Sequence, residues 1–210
     1  MSTPSTAEKI AARADIFRLL SACYYEPDKT MFAEENVFDQ LHSALTQYLP
    51  EEVHQVDALS RAMQAAEQED LLVDYARLFV GPNELLAHPY GSVYLDGPKI
   101  LMGDSTMDVI ARYQDADFAI SADFKEMPDH IAAELEFLYL LSYNESLAEI
   151  EGRAEDSAHW CRQYKNFMAD HIGRWIDPFS TNVRDHAEMD YYKILAELTR
   201  TLILNQTTRE

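Results

Sequence analysis

Apolar residues recur at helical spacing along almost the whole chain. In residues 7–25, Ile10, Ala14, Phe17, Ser21 and Tyr24 follow at steps of four, three, four and three, which puts them on one face of an amphipathic helix. Pro27 ends that helix, because proline lacks the amide donor and clashes with the preceding turn. Residues 32–48 repeat the pattern with Val37, Leu41, Ala44, Leu45 and Tyr48, closed by Pro50. Segments 52–66 and 70–80 read as helices too, the second running into Gly81-Pro82. A helix is predicted from Asp104-Ser105, where either side chain can cap the free amides, to about Gln114. Residues 115–127 form a polar connection that holds Phe118, Ile120 and Phe124. Pro128 suits the first turn of the next helix, which carries Ile131, Leu135, Leu138 and Leu141. A helix over 153–175 holds Trp160, Phe167 and Trp175, and Asp177-Pro178 opens a short segment to about His186. A last helix over 189–205 lines up Tyr192, Leu195, Leu198 and Leu202. Strand-like alternation is almost absent, and no period of about 34 residues marks a solenoid array. The pattern predicts an all-α fold, one globular domain over residues 1–210 with about eight to ten helices. A Gly/Pro loop at 81–104 sits near its middle.

Composition changes the picture in one respect. A chain of 210 residues with 47% apolar content suits one large domain or two small ones with a real core. The charge is extreme, 37 acidic against 17 basic residues, a formal net of -20. Such a surface repels phosphate backbones, so nucleic acid is a poor partner. It attracts a basic peptide, and it also serves solubility alone; composition leaves both readings open. Cys23 and Cys161 do not make a disulfide framework, and Cys23 lies on an apolar helical stretch that predicts a core position. No apolar run approaches the roughly 18 residues of a membrane span. Glu8, Lys9, Arg13 and Asp15 interrupt the apolar residues near the N-terminus, so a signal-peptide core is not expected there and the cytoplasm is.

Residues 75–105 hold the least ordinary sequence: Y-A-R-L-F-V-G-P-N-E-L-L-A-H-P-Y-G-S-V-Y-L-D-G-P-K-I-L-M-G-D-S. A long loop with large apolar side chains is unusual in a compact domain and marks a binding surface or a loop packed by its own side chains. Tyr75 and Phe79, four apart, fit a helix face and hence a core. Tyr90 and Tyr94 flank a Pro/Gly turn, and tyrosines with apolar bodies and polar tips are common in recognition surfaces. Asp129-His130 is the sharpest chemical pair. Asp129 in a first helical turn suits the positive end of the macrodipole. The pair reads as an acid/base couple, half a metal site, a platform for a ligand, or simply a helix cap beside a polar surface histidine. His130 and Glu134 are four apart, a spacing that permits chelation, but no third ligand lies near in sequence. Ser92 in Y-G-S-V-Y lacks the second glycine of a nucleophile elbow. No phosphate loop is present, and Gly81, Gly91, Gly97 and Gly103 are spaced too widely for a dinucleotide fingerprint.

The stretch 75–105, with Glu126-Met127-Pro128-Asp129-His130-Ile131 and more loosely residues 171–202, resembles the cytoplasmic chaperones of molybdenum-containing redox enzymes. These are the maturation proteins of the trimethylamine-oxide and dimethyl-sulfoxide reductases. R-L-F-V-G-P, G-S-V-Y-L-D and G-D-S-T bring the dimethyl-sulfoxide type nearest; Asn83 departs from the aromatic that subgroup often carries after Gly-Pro. The resemblance implies an all-α chaperone, not an enzyme, that binds the twin-arginine signal peptide and the apo form of a molybdopterin-dependent reductase before export. It implies no cofactor, no metal and no membrane insertion. It places the peptide surface on Tyr75, Leu78, Phe79, Tyr90, Ser92, Tyr94, Gly103, Asp129 and His130, joined by Tyr24 or Tyr25. Some relatives bind guanine nucleotide, for which no phosphate loop exists here. Some exchange helices into dimers across a hinge that falls at about residues 115–127, so a monomer and a helix-swapped dimer are both open. The residues by themselves keep two alternatives, a metal-dependent helical hydrolase built on His130 and Glu134 and a helical adaptor for an unrelated partner helix.

Overall fold

Ser5 opens the first helix. Its Oγ accepts the Glu8 amide while its own amide donates to the Glu8 carboxylate at 2.7 Å, a reciprocal capping box, and α1 runs over Thr6–Cys23. The computed structural model describes residues 4–81, 85–98, 100–121 and 124–207, the side chains of 206 and 207 excepted; Pro82 and Asn83 of the Gly/Pro loop lie outside the described residues.

The single helix predicted over 32–48 is two. Asp28 caps α2 (Lys29–Glu34), and α3 (Val37–Tyr48) follows after Asn36 at φ 51°, a left-handed position that asparagine tolerates better than most residues. Pro50 opens one 3₁₀ turn (Pro50–Glu52) that leads into α4 (Val53–Ala65). α5 (Gln68–Tyr75) continues through a π turn, Ala76–Val80. Gly81 ends it at φ 89°, its amide bonded to the Ala76 carbonyl at 2.8 Å, a backbone that glycine adopts without a side-chain penalty. Inside the expected loop lies a short helix, α6 (Gly91–Leu95). α7 spans Asp104–Asp115.

α8 (Ile131–Ile150) starts three residues later than Pro128 predicts. Its N-cap is His130, whose Nδ1 accepts the Ala132 amide at 3.2 Å. α9 (Ala154–Phe167) passes through a π turn, Met168–Ile172, straight into α10 (Gly173–His186). The break expected at Asp177-Pro178 therefore does not occur. Arg174, Asp177 and Pro178 face solvent while Trp175, Ile176 and Phe179 are buried. The Arg174 carbonyl loses its usual amide donor at Pro178, and both residues lie on the exposed side of the helix. α11 (Asp190–Thr207) is approached from α5, where the buried Asp74 carboxylate accepts the amides of Glu188 and Met189 at 2.9 and 2.8 Å.

α8 packs against α1 and α9, α1 also against α3, α10 against α11, and α11 against α4; α6 bridges α10 and α7. α1 and α8 run antiparallel: Arg13 meets Ser142 and Glu145, while Ser21 meets Ala132 and Glu136. One contiguous apolar core includes Phe17, Leu20, Leu138, Phe167, Trp175 and Phe179, and Cys23 lies in it as expected. No strand occurs among the described residues, only an isolated antiparallel bridge between Tyr90 and His130. The all-α expectation holds. No described helix is long and apolar enough to cross a membrane.

Candidate functional site

Two segments far apart in sequence are sewn together at the N-terminus of α8. The Ile131 amide donates to the Pro89 carbonyl at 2.8 Å, and the Gly91 amide donates to the Asp129 carbonyl at 2.9 Å. The Asp129 side chain completes the seam: its Oδ2 accepts the Ser92 amide at 2.8 Å. Gly91 is required here. A Cβ at this position would stand 3.0 Å from Trp175 Nε1, 3.2 Å from Glu134 Oε1 and 3.3 Å from His171 Nε2. Its absence lets α6 rest on a buried polar trio, in which Glu134 Oε1 meets His171 Nε2 at 2.8 Å and Glu134 Oε2 accepts Trp175 Nε1 at 3.1 Å. Burial pulls the His171 imidazole down, but the Glu134 carboxylate beside it more than offsets this and holds it above its ordinary value.

Above the seam lie aromatics. The Tyr90 ring is 5.5 Å from His130, and its hydroxyl donates to Glu126 Oε2 at 2.5 Å. Burial, then Glu126, raises the Tyr90 phenol. Phe124 is 5.9 Å from His130, and Tyr25 is 6.2 Å from Phe124. A second cluster joins Tyr75 to Phe79 at 5.4 Å and Phe79 to Phe179 at 6.3 Å. Tyr24 reaches Phe79 at 6.5 Å. Tyr94 stacks on Trp175 at 5.7 Å and 15° and meets the edge of Phe179. Burial pushes Tyr94 up to about 12, and burial with Glu126 and Glu26 does the same for Tyr75.

The structure thus brings Tyr90, Ser92, Asp129 and His130 into one seam, and Tyr75, Phe79 and Tyr94 into one aromatic cluster. Exposure divides them differently from the expectation. Leu78, Phe79, Ser92, Asp129 and His130 are buried, while Tyr75, Tyr90 and Tyr94 are half-buried. Phe79 is enclosed by Tyr24, Tyr75, Phe179 and Tyr192. The alternative of Asp129 as the cap of α8 and His130 as a surface residue is overturned: His130 is the cap, and Asp129 holds Ser92. Gly103 belongs to a different neighbourhood, at the N-cap of α7 beside Asp96. Asp96 Oδ2 accepts the Ser105 amide at 3.1 Å and its hydroxyl at 2.6 Å, the capping role expected of Asp104 or Ser105. Two buried atoms of the seam, Asp129 Oδ1 and Ser92 Oγ, have no hydrogen-bond partner among the described residues. Such atoms are uncommon, and ordered water or a ligand group is their usual partner.

The metal-dependent reading is not favoured. His130 Nδ1 is spent on the Ala132 amide and both Glu134 oxygens on His171 and Trp175. Among the described residues no group of three or more His, Cys, Asp or Glu side chains is placed to hold a metal ion. Sequence reasoning missed the Glu134–His171–Trp175 trio. Its signal was available: Glu134 shares a helical face with Ile131, Leu135 and Leu138, and a carboxylate in an apolar stripe demands a buried partner. His171 and Trp175 sit four apart, which stacks them on one face.

His130 carries a pH prediction. Burial pulls its imidazole down from 6.5 to about 4. The unfolded chain takes up this proton near 6.5, the folded chain only near 4, so stability is intact above that window and falls as pH drops through it. The loss is on the order of 3 kcal/mol. His130→Asn keeps a cap acceptor and removes the titration. Urea midpoints at pH 7 and pH 4.5 are expected to diverge more in the wild type than in this variant; equal divergence contradicts the assignment.

Residues 46–181 match the family described as nitrate reductase delta subunit, more than half of the chain. The chain is 26% identical over 214 residues to the chaperone protein TorD of Shewanella loihica, covering 95% of this chain and 94% of that one. It is 26% identical over 183 residues to the Tat proofreading chaperone DmsD of Salmonella typhimurium, covering 87% and 83%. It is 31% identical over 133 residues to the DmsD of Salmonella paratyphi A, covering 63% and 58%. A crystal structure from Archaeoglobus fulgidus, assigned to redox enzyme maturation, shares the fold with a TM-score of 0.55 at 19% identity, over 97% of this chain and 96% of that one. The chain belongs to this family of redox-enzyme maturation chaperones, the TorD and DmsD type.

Proposed function

We propose that this chaperone binds the twin-arginine signal peptide of one molybdopterin-dependent reductase in the cytoplasm, holds the apo enzyme while its cofactor is inserted, and then releases it for export. The observation that carries the reading is the seam itself: a buried Asp129 carboxylate with one oxygen, and a Ser92 hydroxyl, that have no hydrogen-bond partner among the described residues, close to half-buried tyrosines. A guanidinium is the donor that matches it, and the net charge of -20 favours a basic peptide over any anion. Tyr75, Tyr90 and Tyr94 and the exposed Glu126 meet the peptide. Leu78, Phe79 and His130 shape that surface from behind, and Gly103 keeps α7 close to α6. Asp129 is fully buried in the free chain, so an arginine reaches it only when the seam opens.

Calorimetry with a synthetic twin-arginine signal peptide tests this. Asp129→Asn is expected to weaken binding by at least about tenfold, because loss of a desolvated charged partner costs about 2 kcal/mol or more, whereas an exposed pair is worth under about 1 kcal/mol. Unchanged affinity in this variant removes the seam from the binding account. A helix-swapped dimer, where it forms, is proposed to hinge at residues 115–127; light scattering separates it from the 24.1 kDa monomer.

A further inference from the structure

An opening of about 530 Å³ lies between α1 and α8, within the range of ligand-binding clefts. Ala22, Tyr25, Met31, Phe118, Tyr139 and Leu140 make its apolar wall. One carboxylate interrupts that wall. Glu136 Oε1 accepts the Tyr25 hydroxyl at 2.7 Å and lies 3.3 Å from the Ser21 hydroxyl, whose shorter bond goes to the Ala132 carbonyl at 3.0 Å. Both hydroxyls are neutral, and Glu136 forms no ion pair among the described residues. A carboxylate fixed by a neutral donor in an apolar cleft is electrostatically unbalanced and attracts a cation.

The cleft has a direction. Arg18 also lines it, one turn of α1 before Ser21, while Tyr25 lies just past the end of that helix. The Arg18 guanidinium is held by Gln40 at 3.1 Å and Asp15 at 3.7 Å. The Tyr25 end is acidic. There the ring contacts Tyr25–Phe124, Phe124–His130 and His130–Tyr90 lead on to Glu126. The cleft thus adjoins the tyrosine surface at its acidic end, and at its far end the lining cation, Arg18, is already paired with Asp15.

We propose that this cleft seats the apolar stretch of the partner peptide. The peptide's leading cations lie at the Glu126 and Glu136 end, and its apolar side chains run between α1 and α8 towards Arg18. The inference rests on the peptide-binding reading above and adds a location and a polarity to it. A basic start followed by an apolar run matches the acidic end and the apolar wall beyond it.

The test uses the full chain and a synthetic twin-arginine peptide with a benzophenone side chain in its apolar stretch. Glu136→Gln keeps the hydrogen-bond acceptor and removes the charge, and Leu140→Gln removes apolar wall. Each is expected to weaken binding by about tenfold in calorimetry, with circular dichroism unchanged. In the wild type the crosslink is expected on residues 18–25 or 136–140, a readout that needs no variant to fold. Wild-type binding with both variants unaffected, or crosslinks confined to the Tyr75 and Tyr94 cluster, overturns the cleft while peptide binding stands. A wild type that does not bind the peptide overturns both. Self-association abolished by Leu140→Gln, without peptide crosslinking there, overturns it in favour of a second copy as occupant.

Discussion

Trp175→Ala is expected to destabilise the fold by about 3–5 kcal/mol, the usual cost of truncating a buried tryptophan. At roughly 2–4 °C per kcal/mol for a chain of this size, the melting temperature falls by about 6–20 °C. The side chain is fully buried. Its loss leaves a cavity, removes the donor to Glu134 Oε2, and takes away the ring on which Tyr94 stacks. The last effect couples stability to the site, because α6 rests through Gly91 on the same trio. Trp175→Phe, which keeps much of the volume but not the N–H, is expected to lose about 1–3 kcal/mol. A truncation that costs under about 1 kcal/mol in urea unfolding contradicts the packing described for α6 and α10.

Glu145→Ala is expected to cost a similar amount, about 3–5 kcal/mol, for a different reason. Arg13 reaches Glu145 at 2.5 Å and Ser142 at 3.0 Å, with its guanidinium 3.8 Å over the Tyr164 ring. Both members of the pair are buried. Removing the carboxylate strands a charge between α1 and α8. Replacing both partners, Arg13→Met with Glu145→Leu, is expected to recover most of the loss, since a buried ion pair is often no better than apolar packing of equal volume. A double variant as unstable as the single one contradicts a pairwise explanation.

The helices were legible because their apolar faces repeat at three and four residues, and Pro27 and Pro50 lie outside them as expected. What the period could not show was continuity. Asn36 parts one predicted helix because a left-handed backbone leaves little trace in hydrophobic spacing. Pro178 fails to part another because it and Arg174 lie on the exposed side of the helix while Trp175, Ile176 and Phe179 hold the rod in place. The Asp129-His130 pair stood out as chemistry, but its geometry depends on the Pro89–Ser92 segment, some forty residues away, and pairing over that distance is invisible to local pattern. Phe79 read as core from its helical spacing and as peptide surface from the resemblance; Tyr24, Phe179 and Tyr192, from three other parts of the chain, enclose it, as the spacing predicts. The cleft beside Glu136 was missed because Tyr25, Phe118 and Leu140 meet only once α1 and α8 are packed.

The central claim, that the acidic seam and its tyrosines receive a twin-arginine signal peptide, is tested most directly by titrating one synthetic peptide in three forms into the purified chain. The forms are the natural Arg-Arg sequence, a Lys-Lys exchange, and a version with serines in place of the apolar stretch. Lysine keeps the charge but not the planar two-pronged donor, so the Lys-Lys form is expected to bind several-fold more weakly. The serine form is expected to lose most of the affinity, because each large apolar side chain buried contributes roughly 1.5–3 kcal/mol before ordering costs. Raising salt is expected to weaken the natural peptide several-fold without abolishing binding. Equal affinity for all three forms, or no binding of the natural peptide, contradicts the account.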